Sequence, residues 1–118
     1  MLYFVSTAKP LLRIDPERQV VQQGDSPTIQ CLVTEGDQPY EIVWYKEGES
    51  NNDLTSRPPL PAHITHNGDG LLRFNQISMS DQGYYVCWAH NLVGEARLTA
   101  EVVVQGKAYV FCADDAVN

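Results

Sequence analysis

Cysteines, histidines and acidic side chains are the residues of this 118-residue chain that could do chemistry. The three cysteines, Cys31, Cys87 and Cys112, are an odd number, so at most one intrachain disulfide can form and one thiol is left over. Asp114 and Asp115 follow Cys112 closely, and neighbouring carboxylates disfavour the thiolate form that a reactive cysteine needs. Three interpretations of Cys112 stay open: an unpaired thiol, an interchain link, or part of a tail that is not native.

Metal binding and catalysis find little support in the sequence. His63 and His66 are three residues apart, a spacing that sends two side chains to opposite faces of a strand and so prevents shared metal ligation. Asn67-x-Asp69-Gly70 matches part of a calcium loop, but the later acidic ligand is missing and a hairpin turn explains these residues. No serine sits in a nucleophile elbow, and there is no glycine-rich phosphate loop. The sequence therefore predicts no enzyme, no metal and no cofactor.

One turn and the run that follows it organise the chain. Asp81 and Gly83 are turn-forming residues, and they precede a segment whose alternate members are Tyr85, Cys87 and Ala89. Because successive side chains of a strand point to opposite faces, these three side chains share one face. The pattern predicts a sharp turn followed by a strand of the core.

Similar alternating segments recur along the chain, with turn residues between them and without a helical period. A polar, proline-rich stretch at residues 47–61 interrupts them and is suited to a connection that crosses between sheets. This pattern predicts an all-β, antiparallel sandwich of seven or eight strands. Besides the strand that contains Tyr85, Cys87 and Ala89, the predicted strand segments are Leu12–Pro16, Arg18–Gln23, Ser26–Val33, Glu41–Lys46, His63–His66, Leu72–Ile77 and Ala96–Val104.

The spacing of several of these residues resembles that of an intermediate-set immunoglobulin domain. Trp44 lies 13 residues after Cys31, and Tyr85-x-Cys87 closes the pattern. The resemblance implies a Cys31–Cys87 disulfide that joins two sheets, with the indole of Trp44 packed over it. It also implies signature roles for Leu72, Asp81, Gly83 and Tyr85. The predicted boundaries are a lead-in or linker at 1–11, the domain at 12–105, and a tail at 106–118.

The expected partner of Asp81 differs from that of the family pattern. Many members of this family pair the corresponding aspartate with an arginine at the start of the preceding edge strand. Here the nearby candidate is His63, so we expect the ion pair to be absent, weakened or dependent on pH.

The alternation also predicts a binding surface. If Trp44, Tyr85 and Cys87 point inward, the residues between them on the two neighbouring strands point outward. An exposed aromatic and apolar patch of this kind often marks a protein interface. The competing interpretation is that Tyr45 and Trp88 pack on each other or under adjacent loops. The five candidate interface residues are Val43, Tyr45, Tyr84, Val86 and Trp88.

The charge and the hydropathy of the chain limit the classes of molecule that it is expected to bind. The formal net charge is −7, and the eight Lys and Arg residues are scattered singly, which argues against nucleic acid or heparin as a ligand. No run approaches the roughly 20 apolar residues of a membrane span. The expected partners are other proteins of the matrix or cell surface, adjacent immunoglobulin domains, or a second copy of the chain.

Two functions fit these expectations. The segments Trp44–Gly48 and Gly70–Phe74, together with the proline-rich crossing between them, resemble modules of perlecan-type basement-membrane proteoglycans. This resemblance implies an extracellular binding module of a multidomain matrix proteoglycan or cell-surface receptor. A parent chain would then supply the export signal. The alternative is an intracellular structural module of the giant muscle-filament type, in which the thiols are reduced.

Overall fold

A computed structural model of the chain describes residues 8–48 and 60–106. The described residues form eight strands, together with a short 3-10 helix at Met79–Asp81. The predictions for residues 1–7, for most of the proline-rich crossing and for the tail with Cys112 lie outside the described residues. The strands are β1 (Leu11–Asp15), β2 (Arg18–Gln22), β3 (Thr28–Glu35), β4 (Glu41–Lys46), β5 (Ile64–His66), β6 (Leu71–Phe74), β7 (Gly83–His90) and β8 (Glu95–Gln105).

The strands form two four-stranded sheets, in the orders β1-β3-β6-β5 and β2-β8-β7-β4. This confirms the predicted sandwich, with one difference: β2 runs parallel to β8, so the second sheet is mixed rather than purely antiparallel. The difference arises because the first extended segment divides at Pro16. β1 pairs with β3 in one sheet, and the chain then joins the other sheet through β2.

The core lies between the sheets, and a disulfide crosses it. Cys31 on β3 and Cys87 on β7 are fully buried and covalently joined, as the family resemblance implied. Trp44 lies directly opposite Cys87 in the β4–β7 pairing, and its indole is 3% exposed. Its Nε1 donates a hydrogen bond of 2.8 Å to the carbonyl oxygen of Gly70. Burial of each large apolar side chain in this layer stabilises the fold by about 1.5–3 kcal/mol.

The turn before β7 is fixed by Tyr85. The Tyr85 hydroxyl donates a 2.6 Å hydrogen bond to the carbonyl oxygen of Asp81, which forms a tyrosine corner. The ring of Tyr85 packs edge-on against Phe74, with centroids 5.2 Å apart. The Lys46 ammonium lies 5.8 Å from the centroid of the same ring and donates to the carbonyl of Ser80. These contacts set where β7 begins and therefore which of its residues face outward.

Candidate protein-binding face

The outward surface of β4, β7 and β8 carries rows of side chains set by the strand register. Val43, Trp88 and Arg97 lie opposite one another in one such row. Residues directly opposite in an antiparallel pair share a face and interact. We call this surface the outer face; it consists of Glu41, Val43, Tyr45, Tyr84, Val86, Trp88, His90, Glu95, Arg97, Thr99 and Glu101.

A charged network surrounds Trp88 on the outer face. The indole Nε1 of Trp88 donates a short hydrogen bond to Glu95 Oε1. Arg97 donates to the same oxygen from Nε at 3.3 Å and from Nη2 at 3.2 Å. The hydrogen bond from Trp88 and those from Arg97 favour the charged carboxylate, so the pKa of Glu95 is lowered. The network holds the indole in one orientation at the protein surface.

A second set of contacts continues the outer face toward β4. The imidazole of His90 stacks on the indole of Trp88, with ring centroids 4.3 Å apart and planes 24° apart. His90 Nε2 lies 2.8 Å from Glu41 Oε1 across the β4–β7 pair. Arg97 Nη1 reaches in the other direction, 3.4 Å from the hydroxyl of Tyr45. Aromatic rings and hydrogen-bonded polar groups therefore lie side by side across three strands.

The exposed patch is smaller than the sequence predicts. Tyr45 and Val86 are only 7% and 4% exposed, so the expectation that these two side chains are open to solvent is wrong. They lie directly opposite each other on β4 and β7, and Arg97 extends from β8 to the Tyr45 hydroxyl. Tyr84 is 51% exposed, whereas Val43 and Trp88 are half-buried. The interface role of the five residues stays a prediction.

His63 is the partner of Asp81 in the folded domain. Its Nε2 lies 2.7 Å from Asp81 Oδ2, a contact that is an ion pair only when the imidazole is protonated. The Asp81 side chain is 5% exposed, and its Oδ2 also accepts hydrogen bonds from the backbone nitrogen of Ser78 at 2.8 Å and from its hydroxyl at 3.2 Å. Burial alone would raise the pKa of Asp81, but the hydrogen bonds from Ser78 and the contact with His63 together lower it.

The lowered pKa of Asp81 predicts a dependence of stability on acid. A carboxyl group with a lower pKa in the folded state stabilises the fold above its unfolded-state pKa, and this contribution is lost as the pH falls through the folded-state pKa. We expect Asp81→Asn to reduce the loss of unfolding free energy between about pH 5 and pH 2. Urea unfolding across this range measures it. Glu17→Gln, at an exposed position, is the control; an equal change in both variants would contradict the prediction.

Glu95, Arg97 and His90 are residues of the outer face that the sequence interpretation missed. The signal was available in the turn at Asn91–Gly94, because a hairpin at that position places His90 opposite Glu95 and Trp88 opposite Arg97. Alternation along β8 then puts Glu95 and Arg97 on the side of Trp88. What alternation does not give is that Trp88 and Arg97 both donate to the same oxygen of Glu95.

Within residues 8–48 and 60–106, no group of three or more His, Cys, Asp and Glu side chains could hold a metal ion. Over the same ranges, no helix has the length and apolar character needed to cross a membrane.

The two facing sheets, the disulfide between them, the buried tryptophan and the tyrosine corner define an immunoglobulin-like β-sandwich. The family model for the immunoglobulin domain matches residues 9–91. The chain therefore belongs to the immunoglobulin domain family.

Similar proteins come from two settings. The chain is 39% identical over 83 residues to the muscle M-line assembly protein unc-89 of Caenorhabditis elegans, and 32% identical over 98 residues to human Roundabout homolog 2. These matches cover 70% and 82% of this chain but 1% and 7% of the two relatives. The crystal structure of the titin M10–obscurin-like 1 Ig complex is similar with a TM-score of 0.65 and 27% identity, covering 86% of this chain and all of that chain.

Proposed function

We propose that this domain is a non-catalytic, extracellular protein-binding module of a multidomain matrix proteoglycan or cell-surface receptor. The observation that carries the proposal is the outer face. Its central Trp88 is held by Glu95 and His90 and stays partly open to solvent, next to the exposed Tyr84. Tryptophan, tyrosine and arginine are the residues that contribute most to protein interfaces, and a fixed side chain loses little entropy on binding.

Two observations support the proposed extracellular location: the disulfide and the kinds of protein to which the chain is similar. A Cys31–Cys87 bond persists in an oxidising compartment, whereas the reducing cytosol keeps thiols free. Roundabout homolog 2 and the cell adhesion molecule Dscam2 of Drosophila melanogaster are among the proteins similar to this chain. The finer assignment to a perlecan-type, basement-membrane protein depends on the sequence resemblance of Trp44–Gly48 and Gly70–Phe74.

The second candidate function is an intracellular structural module of the muscle-filament type. It is favoured by the 39% identity to the muscle M-line assembly protein and by the similarity to titin domains. In that setting the outer face would contact a neighbouring filament protein and the two core cysteines would remain reduced.

Thiol mapping of the natively produced protein separates the two candidates. The protein is denatured and alkylated without reductant, its intact mass is measured, and the modified cysteines are located by peptide mapping, because both core cysteines are buried in the folded domain. A protected Cys31–Cys87 pair supports the extracellular module, because the chain has then passed through an oxidising compartment. Alkylation of both Cys31 and Cys87 after denaturation without reductant would instead support the intracellular module.

If the outer face binds partners, removal of the Trp88 side chain should weaken that binding. Protein partners are first found by screening the multimerised domain against matrix and cell-surface proteins. We expect Trp88→Ala to weaken binding to these partners by at least about tenfold. The thermal midpoint should stay nearly unchanged, because the indole is half-buried at the surface and outside the core.

The matched control for Trp88 is Leu32→Ala. Leu32 is an apolar residue with 38% exposure on β3, which belongs to the opposite sheet. This variant should bind as the wild type does. Equal losses in both variants, or a wild-type domain that binds no protein in the screen, would contradict the proposed function.

A further inference from the structure

A groove opens at the end of the sandwich where β4 begins and β7 ends. It lies between the β3–β4 loop and the β7–β8 turn, and its volume is about 320 Å³. This volume is at the low end of the range for ligand sites, about 300–1,000 Å³, and is suited to one or two side chains. We call it the loop groove; its lining residues are Pro39, Tyr40, Glu41, His90, Asn91 and Leu92.

Asn91 fixes the walls of the loop groove. Its Nδ2 donates to the carbonyl oxygens of Ala8 at 2.9 Å and Asp37 at 3.1 Å. Its Oδ1 accepts hydrogen bonds from the backbone nitrogens of Val93 at 2.9 Å and Gly94 at 3.0 Å. One side chain thus ties together the entering chain, the β3–β4 loop and the β7–β8 turn. Binding at such a preformed site requires little ordering of the loops.

The rim of the loop groove is apolar on one side. Leu92 is 98% exposed and Val93 is 48% exposed, at the tip of the turn that Asn91 holds. Leu92 lines the groove together with Pro39 and Tyr40, and Val93 follows it in the turn. A single exposed leucine is ordinary, but an exposed apolar pair that joins an apolar groove is the kind of surface that a partner covers.

The other side of the loop groove carries one acidic side chain, that of Glu41. Glu35, Asp37 and Glu41 all lie at this end of the sandwich, and the Glu41 side chain is 69% exposed. One basic residue, Lys9, is also near this end, and its side chain packs beside Gly94 in the β7–β8 turn. Negative charge therefore borders the apolar surface, in a chain whose formal net charge is −7. A ligand complementary to this site carries a positive charge next to an apolar group.

We propose that the loop groove is a second docking site, which takes a segment of a partner protein that has an apolar side chain next to a lysine or arginine. The apolar side chain enters between Tyr40 and Leu92, and the cationic group pairs with Glu41 at the rim. The site adjoins the outer face at Glu41 and His90 but differs from it in shape and chemistry. It extends the proposed function from one binding surface to two.

The test uses a phage-displayed library of random dodecapeptides selected on the wild-type domain. The selected peptides are synthesised and their affinities are measured by isothermal titration calorimetry. We expect the library to be enriched in sequences with Leu, Ile, Phe or Trp next to Lys or Arg. We expect Leu92→Ser to weaken binding at least tenfold and Glu41→Gln to weaken it about threefold to tenfold, with wild-type binding falling as salt is raised.

Two further variants locate the peptides. Leu92 is almost fully exposed, so Leu92→Ser should keep the wild-type thermal midpoint, and a loss of binding then reports the site itself. Tyr84→Ala, at the far end of the outer face, and Leu32→Ala, on the opposite sheet, should bind the peptides as the wild type does.

Three results would overturn the proposal: selection without the apolar and basic pattern, undiminished binding by both Leu92→Ser and Glu41→Gln, or binding lost in Tyr84→Ala but kept in Leu92→Ser. The last result would assign the peptides to the outer face, so the loop groove proposal would fail while the proposed function stood.

Discussion

Replacing Gly70 by alanine is expected to destabilise the domain by about 3–5 kcal/mol or to prevent its folding. Gly70 has a φ of +91°, a backbone conformation that L-residues with a Cβ adopt only at a cost. A Cβ at this position would lie 2.2 Å from the carbonyl oxygen of Cys31, which is backbone and cannot rotate away. The turn would have to move out of its place against β3.

Movement of this turn would break two hydrogen bonds of the core. The carbonyl oxygen of Gly70 accepts from the buried indole nitrogen of Trp44 at 2.8 Å and from the backbone nitrogen of Cys31 at 3.0 Å. A buried donor left without its acceptor costs about 1–3 kcal/mol in addition to the steric term. The expected effect is therefore large for the addition of one methyl group.

Gly68→Ala is the matched control, because it adds the same methyl group to the same turn. A Cβ at Gly68 would meet no atom within 4 Å. We expect its unfolding free energy to stay within about 0.5 kcal/mol of the wild-type value. Urea unfolding of the three proteins measures both effects. Similar stabilities for Gly70→Ala and the wild type would contradict the predicted role of Gly70.

Removal of the disulfide is expected to have an effect of similar size. Cys31 and Cys87 are 56 residues apart in sequence, and closing a loop of this length stabilises a fold by about 4 kcal/mol in the chain-entropy model. We expect the Cys31→Ala/Cys87→Ala variant to lose about 2–5 kcal/mol of unfolding free energy. Both sulfur atoms are fully buried, so the smaller alanines also leave a gap in the core.

Chemical reduction of the wild type separates the cross-link from the packing. The reduced protein keeps both sulfur atoms but has lost the covalent bond, so we expect it to lie between the oxidised protein and the double alanine variant. Urea midpoints measured with and without reductant give the comparison. A loss below about 1 kcal/mol on reduction would show that the cross-link contributes little to this domain.

The strands and the core could be predicted from the sequence because both depend on local patterns. Alternation at Ile29, Cys31 and Val33 and at Tyr85, Cys87 and Ala89 fixes which side chains face inward, whatever the partner strand. The turn residues at Asp81 and Gly83 mark where β7 begins. The pairing of Cys31 with Cys87 came from the family resemblance, and the structure agrees with it.

The outer face shows what the sequence by itself does not determine. Alternation correctly assigns Tyr45 and Val86 to the outward side, but their burial depends on neighbours that are distant in the chain. Val86 lies opposite Tyr45, 41 positions earlier, and Arg97 reaches the Tyr45 hydroxyl from a third strand. The side of the sheet to which a side chain points is set within one strand, whereas its exposure to solvent depends on the side chains of several strands.

The other contacts that sequence patterns did not give are also long-range. His63 meets Asp81 across 18 positions, where the sequence named the candidate partner without deciding whether the contact forms, and the Trp44 indole meets Gly70 across 26. Whether such contacts form depends on how the two sheets stack and on how far each side chain extends. The alternation of side chains along a single strand does not encode either of these. The sequence by itself therefore determined the class of fold, the inward residues and the candidate surface. Only the tertiary structure decided which residues of that surface meet solvent and which polar groups pair, because both depend on packing between separate strands.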